Sequence, residues 1–301
     1  MIRQLLLFVM TLLVLASIAA TQSITCNSEP APPYKKATSR GCSTLQNKPV
    51  VPGLTHSRMT WNESCVNVLT LDLHANGLRI ATVGAVGGPC QTVSQLAPAT
   101  TAIAAVNGGF FCYVTPSLCT ATYPTCPEDC TGFSMLKIGG TLDSTNCSPT
   151  IQPIKRTTLG WSLVTNPKIQ PVESGKNWDE VVDAIGAGPN LVTDGKVNVT
   201  DEGFPWVCEQ HPRTAVGLTR GGYMVLLTVD SPGLKLPDLA EFMINQLHVM
   251  QAMNFDGGGS TTMIIKGKVV NHPSGNGERP VYDALEIVPT PTAPKSKPER
   301  P

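Results

Sequence analysis

The stretch PDLAEFMINQLHVMQAMNFDGGGSTTM, Pro237 to Met263, holds a helix, a returning strand and a glycine turn in one run. Pro237 suits a first helical turn, and Asp238 complements the positive end of the helix there. Ala240, Met243, Ile244, Leu247 and Met250 or Gln251 recur at helical spacing, so one face packs on a core. His248 falls on the solvent side of that helix. Ala252 to Phe255 then returns as a strand that ends at Asp256-Gly257-Gly258-Gly259. Three consecutive glycines cost more backbone entropy than any other triplet. Something must therefore approach this backbone closely.

Outward from this unit the sequence reads as strands. Val66 to Leu73 alternates apolar and polar residues, and Leu78 to Val83 follows across an Ala-Asn-Gly turn. Val93 to Ala97 is a short helix leading to the apolar strand Thr101 to Val106, which runs into Asn107-Gly108-Gly109. Hairpins are predicted over Met135 to Leu142, over Thr214 to Val229 and over Thr261 to Val270. Single strands are predicted at Thr158 to Val164, Ala184 to Val192, Lys196 to Val199 and Val281 to Val288. Many strands with one or two helices give an α+β fold, a single strand-rich domain of mixed sheets. Residues 21–60, rich in Pro, Ser, Lys and Asn, read as an irregular arm held by Cys26 and Cys42. The domain proper spans 61–288, and the Pro- and Lys-rich residues 289–301 form a disordered tail.

Residues 1–20 have the anatomy of a secretory signal peptide: Arg3, an apolar run from Leu5 to Ile18, and a small-x-small cleavage site at Ser17-Ile18-Ala19. The expected mature chain is secreted or lumenal, with no membrane anchor after cleavage. All ten cysteines lie downstream of the signal. They are Cys26, Cys42, Cys65, Cys90, Cys112, Cys119, Cys126, Cys130, Cys147 and Cys208. An even count in a secreted chain reads as a disulfide staple set. The dense segment Cys112 to Cys130 has gaps of six, six and three residues, without the paired spacing of a zinc ribbon. Asn62, Asn146 and Asn198 head N-glycosylation sequons. Twenty-two basic residues balance 22 acidic ones, so no basic footprint for nucleic acid exists. His211, His248 and His272 lack metal spacing, and no cofactor motif appears.

Four polar clusters sit where apolar strands meet loops: Asn107 to Phe111, His211 to Thr214, Asp256 to Ser260, and Ser274 to Arg279. Asp256 to Ser260 is not a phosphate loop of the Walker type, since no lysine follows at the required spacing. It is not a nucleophile elbow either. Its glycines form either a tight turn or a concavity of N–H groups for an anion or a sugar oxygen. Asn107 offers an amide to sugar hydroxyls, with Phe110 or Phe111 as a stacking face. Arg213 offers a two-point grip on a phosphate, or a surface ion pair. Arg279 beside Glu278 has the same ambiguity.

These clusters resemble, in order and spacing, the phosphodiester glycosidase family. The matching stretches are VNVLTLDL (66–73), AAVNGGFF (104–111), AIGAGPNLVTDGKV (184–197), HPRTAVGLT (211–219), LLTVD (226–230), NFDGGGSTTM (254–263) and, more loosely, GERPVYDAL (277–285). The resemblance implies hydrolysis of a sugar-1-phosphodiester, releasing sugar and a phosphomonoester. It carries site roles to Asn107, Gly108, Gly109, Arg213, Thr214, Asp256, Gly257, Gly258, Gly259 and Ser260. On this reading Asp256 attacks or activates water at the anomeric carbon, and Arg213 holds the phosphate. Gly257 to Ser260 bind phosphate or hydroxyls, while Asn107 orients the sugar. Asp230 and Glu278 are the candidates for a second carboxylate, with Asp230 preferred. A glycosidase acting on an extracellular polysaccharide and a non-catalytic sugar-binding module are the alternatives.

Overall fold

The computed structural model describes residues 24, 26, 42–112, 130–132, 134–144, 155–162, 166–173, 175–200 and 205–291. The expected signal peptide, Asn146, Cys119, Cys126, Cys147 and the side chain of Cys112 lie outside the described residues. So does nearly all of the proposed tail.

Three antiparallel sheets make up the body, with a two-stranded ribbon beside them. The largest has eight strands in the order Leu45–Val51, Leu54–Trp61, Ser64–Asp72, Tyr223–Leu234, His211–Thr219, Val249–Asn254, Asn190–Thr193 and Lys196–Val197. A five-stranded sheet orders Lys268–Val269, Met263–Ile265, Ala104–Asn107, Asp283–Pro289 and Leu78–Gly84. The other five-stranded sheet contains Lys168–Glu173, Lys155–Trp161, Asp183–Gly186, Leu136–Ile138 and Thr141–Ser144. Every pairing among the described strands is antiparallel, which corrects the expectation of mixed sheets. The chain is mostly β, with α1 (Val93–Leu96) and α2 (Leu236–Leu247) as its α-helices among the described residues. None is long and apolar enough to cross a membrane.

The arm expected to be irregular contributes two strands. Leu45–Val51 and Leu54–Trp61 pair across the Pro52-Gly53 turn, where Gly53 takes φ +82°. The first lies at the sheet edge and is largely exposed, so its side chains need not alternate in polarity. The stretch Ala184 to Val192 is not one strand but two in different sheets, Asp183–Gly186 and Asn190–Thr193. Pro189 stands between them and has no N–H to give to a ladder.

The eight-stranded sheet is buried on both faces. Along Tyr223–Leu234, Leu226 points into a core shared with Val106, Leu285 and Ile287, whereas Leu227 packs with Leu239, Phe242 and Met243 of α2. The helix ends at His248, whose left-handed backbone lets its N–H return to Ile244. Alternate residues of one strand thus hold a sheet on one side and a helix on the other.

Cys26 bonds Cys208, Cys42 bonds Cys65 and Cys90 bonds Cys130. The first closes a loop 182 residues apart in sequence. Loop-closure entropy for such a span is about 5 kcal/mol. The pair of substitutions Cys26→Ser and Cys208→Ser should therefore lower Tm by about 10 °C in a thermal melt. An unchanged Tm would show that this link adds nothing to stability. Asn62 lies exposed in the turn before Ser64, while the half-buried Asn198 donates its amide to Thr193 Oγ1 at 3.0 Å.

Candidate active site

The seam between the eight-stranded sheet and the Ala104–Asn107 sheet gathers the polar clusters. Asn107 pairs with Ala284, Ala215 pairs with Asn254, and Met263 pairs with Val106, so five strands meet here. Asn107 is fully buried there. Its Oδ1 accepts from Thr214 Oγ1 (2.7 Å) and from the Thr262 N–H (3.0 Å), and its Nδ2 donates to the Asp256 carbonyl (2.7 Å). The Asn107 amide, with Thr214 beneath it, is thus a buried cross-tie holding the Asp256 to Thr262 turn.

Asp256 is half-buried at that turn. Its N–H donates to Gly108 O at 2.9 Å, and its Oδ1 accepts the Gly257 N–H at 2.8 Å. Burial raises its pKa, opposed by the Ser260 hydroxyl, the Arg279 charge, the Gly257 N–H and the Arg213 charge. The carboxylate therefore has two cations in its field and keeps an open side.

The three glycines serve three different approaches. A Cβ on Gly257 would lie 2.6 Å from Pro212 O, so two backbones touch there. Gly258 has φ +59°, a left-handed turn with open space around it. A Cβ on Gly259 would overlap the Arg279 guanidinium, which lies against this backbone. Arg279 Nη1 also reaches Ser260 Oγ at 3.4 Å. The side chain that the triplet admits is an arginine of the chain itself.

A second carboxylate, Asp283, stands behind the turn and is 1% exposed. Its Oδ1 accepts the Gly109 N–H at 2.6 Å, its carbonyl accepts the Gly108 N–H at 3.0 Å, and its Oδ2 is buried without a hydrogen-bond partner. Added Cβ atoms at Gly108 or Gly109 would collide with Asp283 Oδ1 or Gly186 O respectively, which explains both glycines. Burial pushes the Asp283 carboxyl up to about 7; the Gly109 N–H opposes this, and the charges of Asp256 and Asp143 add to it. Sequence reasoning quoted this strand without singling out Asp283. The available signal was an acid at the head of a strand whose other residues, Glu286 apart, are apolar from Ala284 to Val288.

The expected partners of Asp256 stand elsewhere. Asp230 is 5% exposed and accepts the His272 N–H (2.9 Å) and Asn271 Nδ2 (3.2 Å), with His272 Nδ1 at 3.3 Å. Asn271 in turn donates to Thr261 O and accepts from Met263 N–H, so Asp230 braces the far side of the glycine turn. Glu278 accepts the N–H and hydroxyl of Ser94 at the first turn of α1, at 3.0 and 2.6 Å. The Asp256 charge bears on Asp283 and not on Asp230.

Arg213 is 2% exposed. Its Nε donates to Leu234 O, its Nη2 donates to Trp206 O and Glu209 O, and its guanidinium lies 5.2 Å from the Trp206 ring centre. Burial lowers its pKa to about 9, against the attraction of Glu209 and Asp256. These bonds tie the 205–208 turn to the sheet, so the phosphate grip expected of Arg213 is directed at backbone carbonyls. Phe110 packs on Trp206 with ring centres 5.8 Å apart and is 8% exposed, leaving little face for a sugar. Among the described residues, no group of three His, Cys, Asp or Glu side chains is placed to hold a metal ion.

Comparison with known proteins points to one family. Residues 100–288 match the family model described as phosphodiester glycosidase. Over 66 residues the chain is 46% identical to the bovine N-acetylglucosamine-1-phosphodiester alpha-N-acetylglucosaminidase and 41% identical to the human one. Those stretches are 21% of this chain and only 12–13% of the relatives' own length. The zebrafish catalytic domain of that enzyme, auto-inhibited by its pro-peptide, superposes with a TM-score of 0.59 at 20% identity, over 82% of this chain and 87% of that one. A hypothetical protein from Synechocystis gives 0.56 at 15% identity, over 86% of this chain and 64% of that one. At such identities the two structures share the fold.

Proposed function

Because the chain belongs to the phosphodiester glycosidase family, we propose that it hydrolyses the glycosidic bond of a sugar-1-phosphodiester, with N-acetylglucosamine as the sugar. The single observation that carries the reading is the half-buried Asp256 carboxylate on the glycine turn, in the field of the Arg279 and Arg213 guanidinium groups. The bovine and human relatives are named for this substrate, which supports the choice of sugar.

A phosphate monoester is a weakly basic leaving group, with a second pKa of about 6. Stabilising its charge therefore matters more than protonating it. In the proposed mechanism Arg279 takes the phosphate, aided by Ser260 and the Gly257 to Gly259 backbone. Asp256 acts at the anomeric carbon, as nucleophile or as base for water. Asn107, Thr214 and Arg213 position this turn from below and do not touch the sugar. Burial pushes the Asp283 carboxyl up to about 7, and the nearby Asp256 charge adds to this.

We also read the chain as passing through the secretory pathway, supported by the three disulfides. Incubation with UDP-N-acetylglucosamine or an alkyl N-acetylglucosamine-1-phosphate should release free sugar. Saturable binding without release would favour a sugar-binding module instead.

Arg279 gives a finer test. Arg279→Ala should raise KM about 10- to 100-fold, the loss of hydrogen bonding to a charged group. Gly259→Ala should do the same more mildly, because its methyl displaces the guanidinium without deleting it. Steady-state kinetics with an unchanged KM in both variants would remove Arg279 from phosphate binding.

A further inference from the structure

A cavity of about 330 Å³ opens at the opposite end of the Met263–Ile265 strand from Asp256. It lies where the outer hairpin of the eight-stranded sheet meets the outer hairpin of the Ala104–Asn107 sheet. Val50, Ile265 and Val270 give it apolar walls, and Lys48, Lys266 and Lys268 surround it without any acidic residue in the lining. Lysines on edge strands commonly serve to discourage sheet-to-sheet association. Three observations set these apart from that use.

The lysines converge on one concavity from two separate sheets. Lys266 occupies a left-handed position (φ 49°), where asparagine or glycine is usual, and its ammonium donates to Val50 O at 2.8 Å, closing one end of the cavity. His56 also lines the cavity, although it is only 7% exposed, and its Nε2 meets Asn67 Oδ1 at 3.1 Å. Burial lowers the His56 pKa, the Asn67 bond opposes this, and the Arg58 and Lys48 charges lower it further. The interior is thus apolar with a neutral imidazole, and the charge is confined to the rim. Among the described residues, Lys48 and Lys268 form no ion pair.

A cavity at the small end of the ligand-site range, apolar within and cationic at its mouth, is complementary to one kind of molecule. We propose that it is a second ligand site, separate from Asp256, for a small acid whose apolar body enters between the two sheets and whose carboxylate meets Lys48 and Lys268. Medium-chain carboxylates represent the class.

Octanoate is a suitable probe, because it does not resemble a sugar phosphodiester. Calorimetric titration of the full chain should show one saturable site, with octanol and acetate each binding at least tenfold more weakly. The double variant Lys48→Glu with Lys268→Glu, both exposed positions, should weaken octanoate at least tenfold. Ile265→Trp, which fills the cavity, should abolish binding, and both variants should keep wild-type turnover of the phosphodiester. No saturable octanoate binding at about 10 mM, near the weak end of specific association, would overturn the proposal. So would wild-type affinity in the charge-reversed and the filled variants.

Discussion

Asp256→Asn should lower kcat by at least about 10³-fold, the scale seen when a reacting carboxylate is lost. The substitution keeps an oxygen able to accept the Gly257 N–H, and the backbone bonds to Asn107 and Gly108 do not involve the side chain. The fold should therefore survive, and circular dichroism with a thermal melt would confirm an intact protein. KM should change little, because Arg279 remains to hold the phosphate. Turnover within tenfold of the wild type would place the reacting group elsewhere. The effect is expected to be large because Asp256 combines properties that no other described carboxylate has. It is only half-buried, it lies in the field of two arginines, and its backbone is clamped by the Asn107 and Gly108 contacts.

Asp283→Asn should change the pH dependence of both stability and rate. The folded chain raises this carboxyl from 3.8 to about 7. A raised acid pKa means that the folded state holds a proton which the unfolded state releases. The corresponding stability is fully present below about pH 4 and is gone above about pH 7, an effect on the order of 4 kcal/mol. Wild-type Tm should accordingly fall as pH rises through this window, and the asparagine variant should flatten the slope. Burial raises Asp256, Asp230 and Glu286 in the same direction, so the difference between the two curves isolates the share of Asp283. In the rate profile, ionised Asp283 adds a negative charge behind Asp256 and opposes an anionic substrate. The wild-type kcat/KM should decline above about pH 7, and the variant should lose that limb. Superimposable profiles would show that Asp283 only packs.

The turn that carries Asp256 was legible because its sequence setting is local: a helix, a returning strand and three glycines follow one another in the chain. The resemblance of the surrounding motifs supplied the chemistry. Asp283 was illegible because its meaning depends on a neighbour 27 positions away. An acid at the head of a buried strand says only that something must compensate it. Arg213 shows the opposite case. Beside His211-Pro212 it reads as a loop arginine, but the 205–208 turn folds over it and supplies carbonyl acceptors. Asn107 looked like a sugar ligand until its amide proved to be the buried tie between three segments. The strand Leu45–Val51 escaped detection because an edge imposes little pattern on side chains, and its inner neighbour Leu54–Trp61 carries polar residues that break the alternation. The glycine triplet was correctly marked as a place of close approach. What approaches Gly257 and Gly259 is Pro212 and Arg279, both from the chain itself.

The central claim is that the bond broken is the one at the anomeric carbon. Hydrolysis of an N-acetylglucosamine-1-phosphodiester in water enriched in oxygen-18, followed by mass spectrometry of both products, tests it most directly. Attack at carbon, guided by Asp256, places the label on the released sugar and leaves the phosphomonoester unlabelled. Label found on the phosphate instead would mean attack at phosphorus, and would contradict this account of the site.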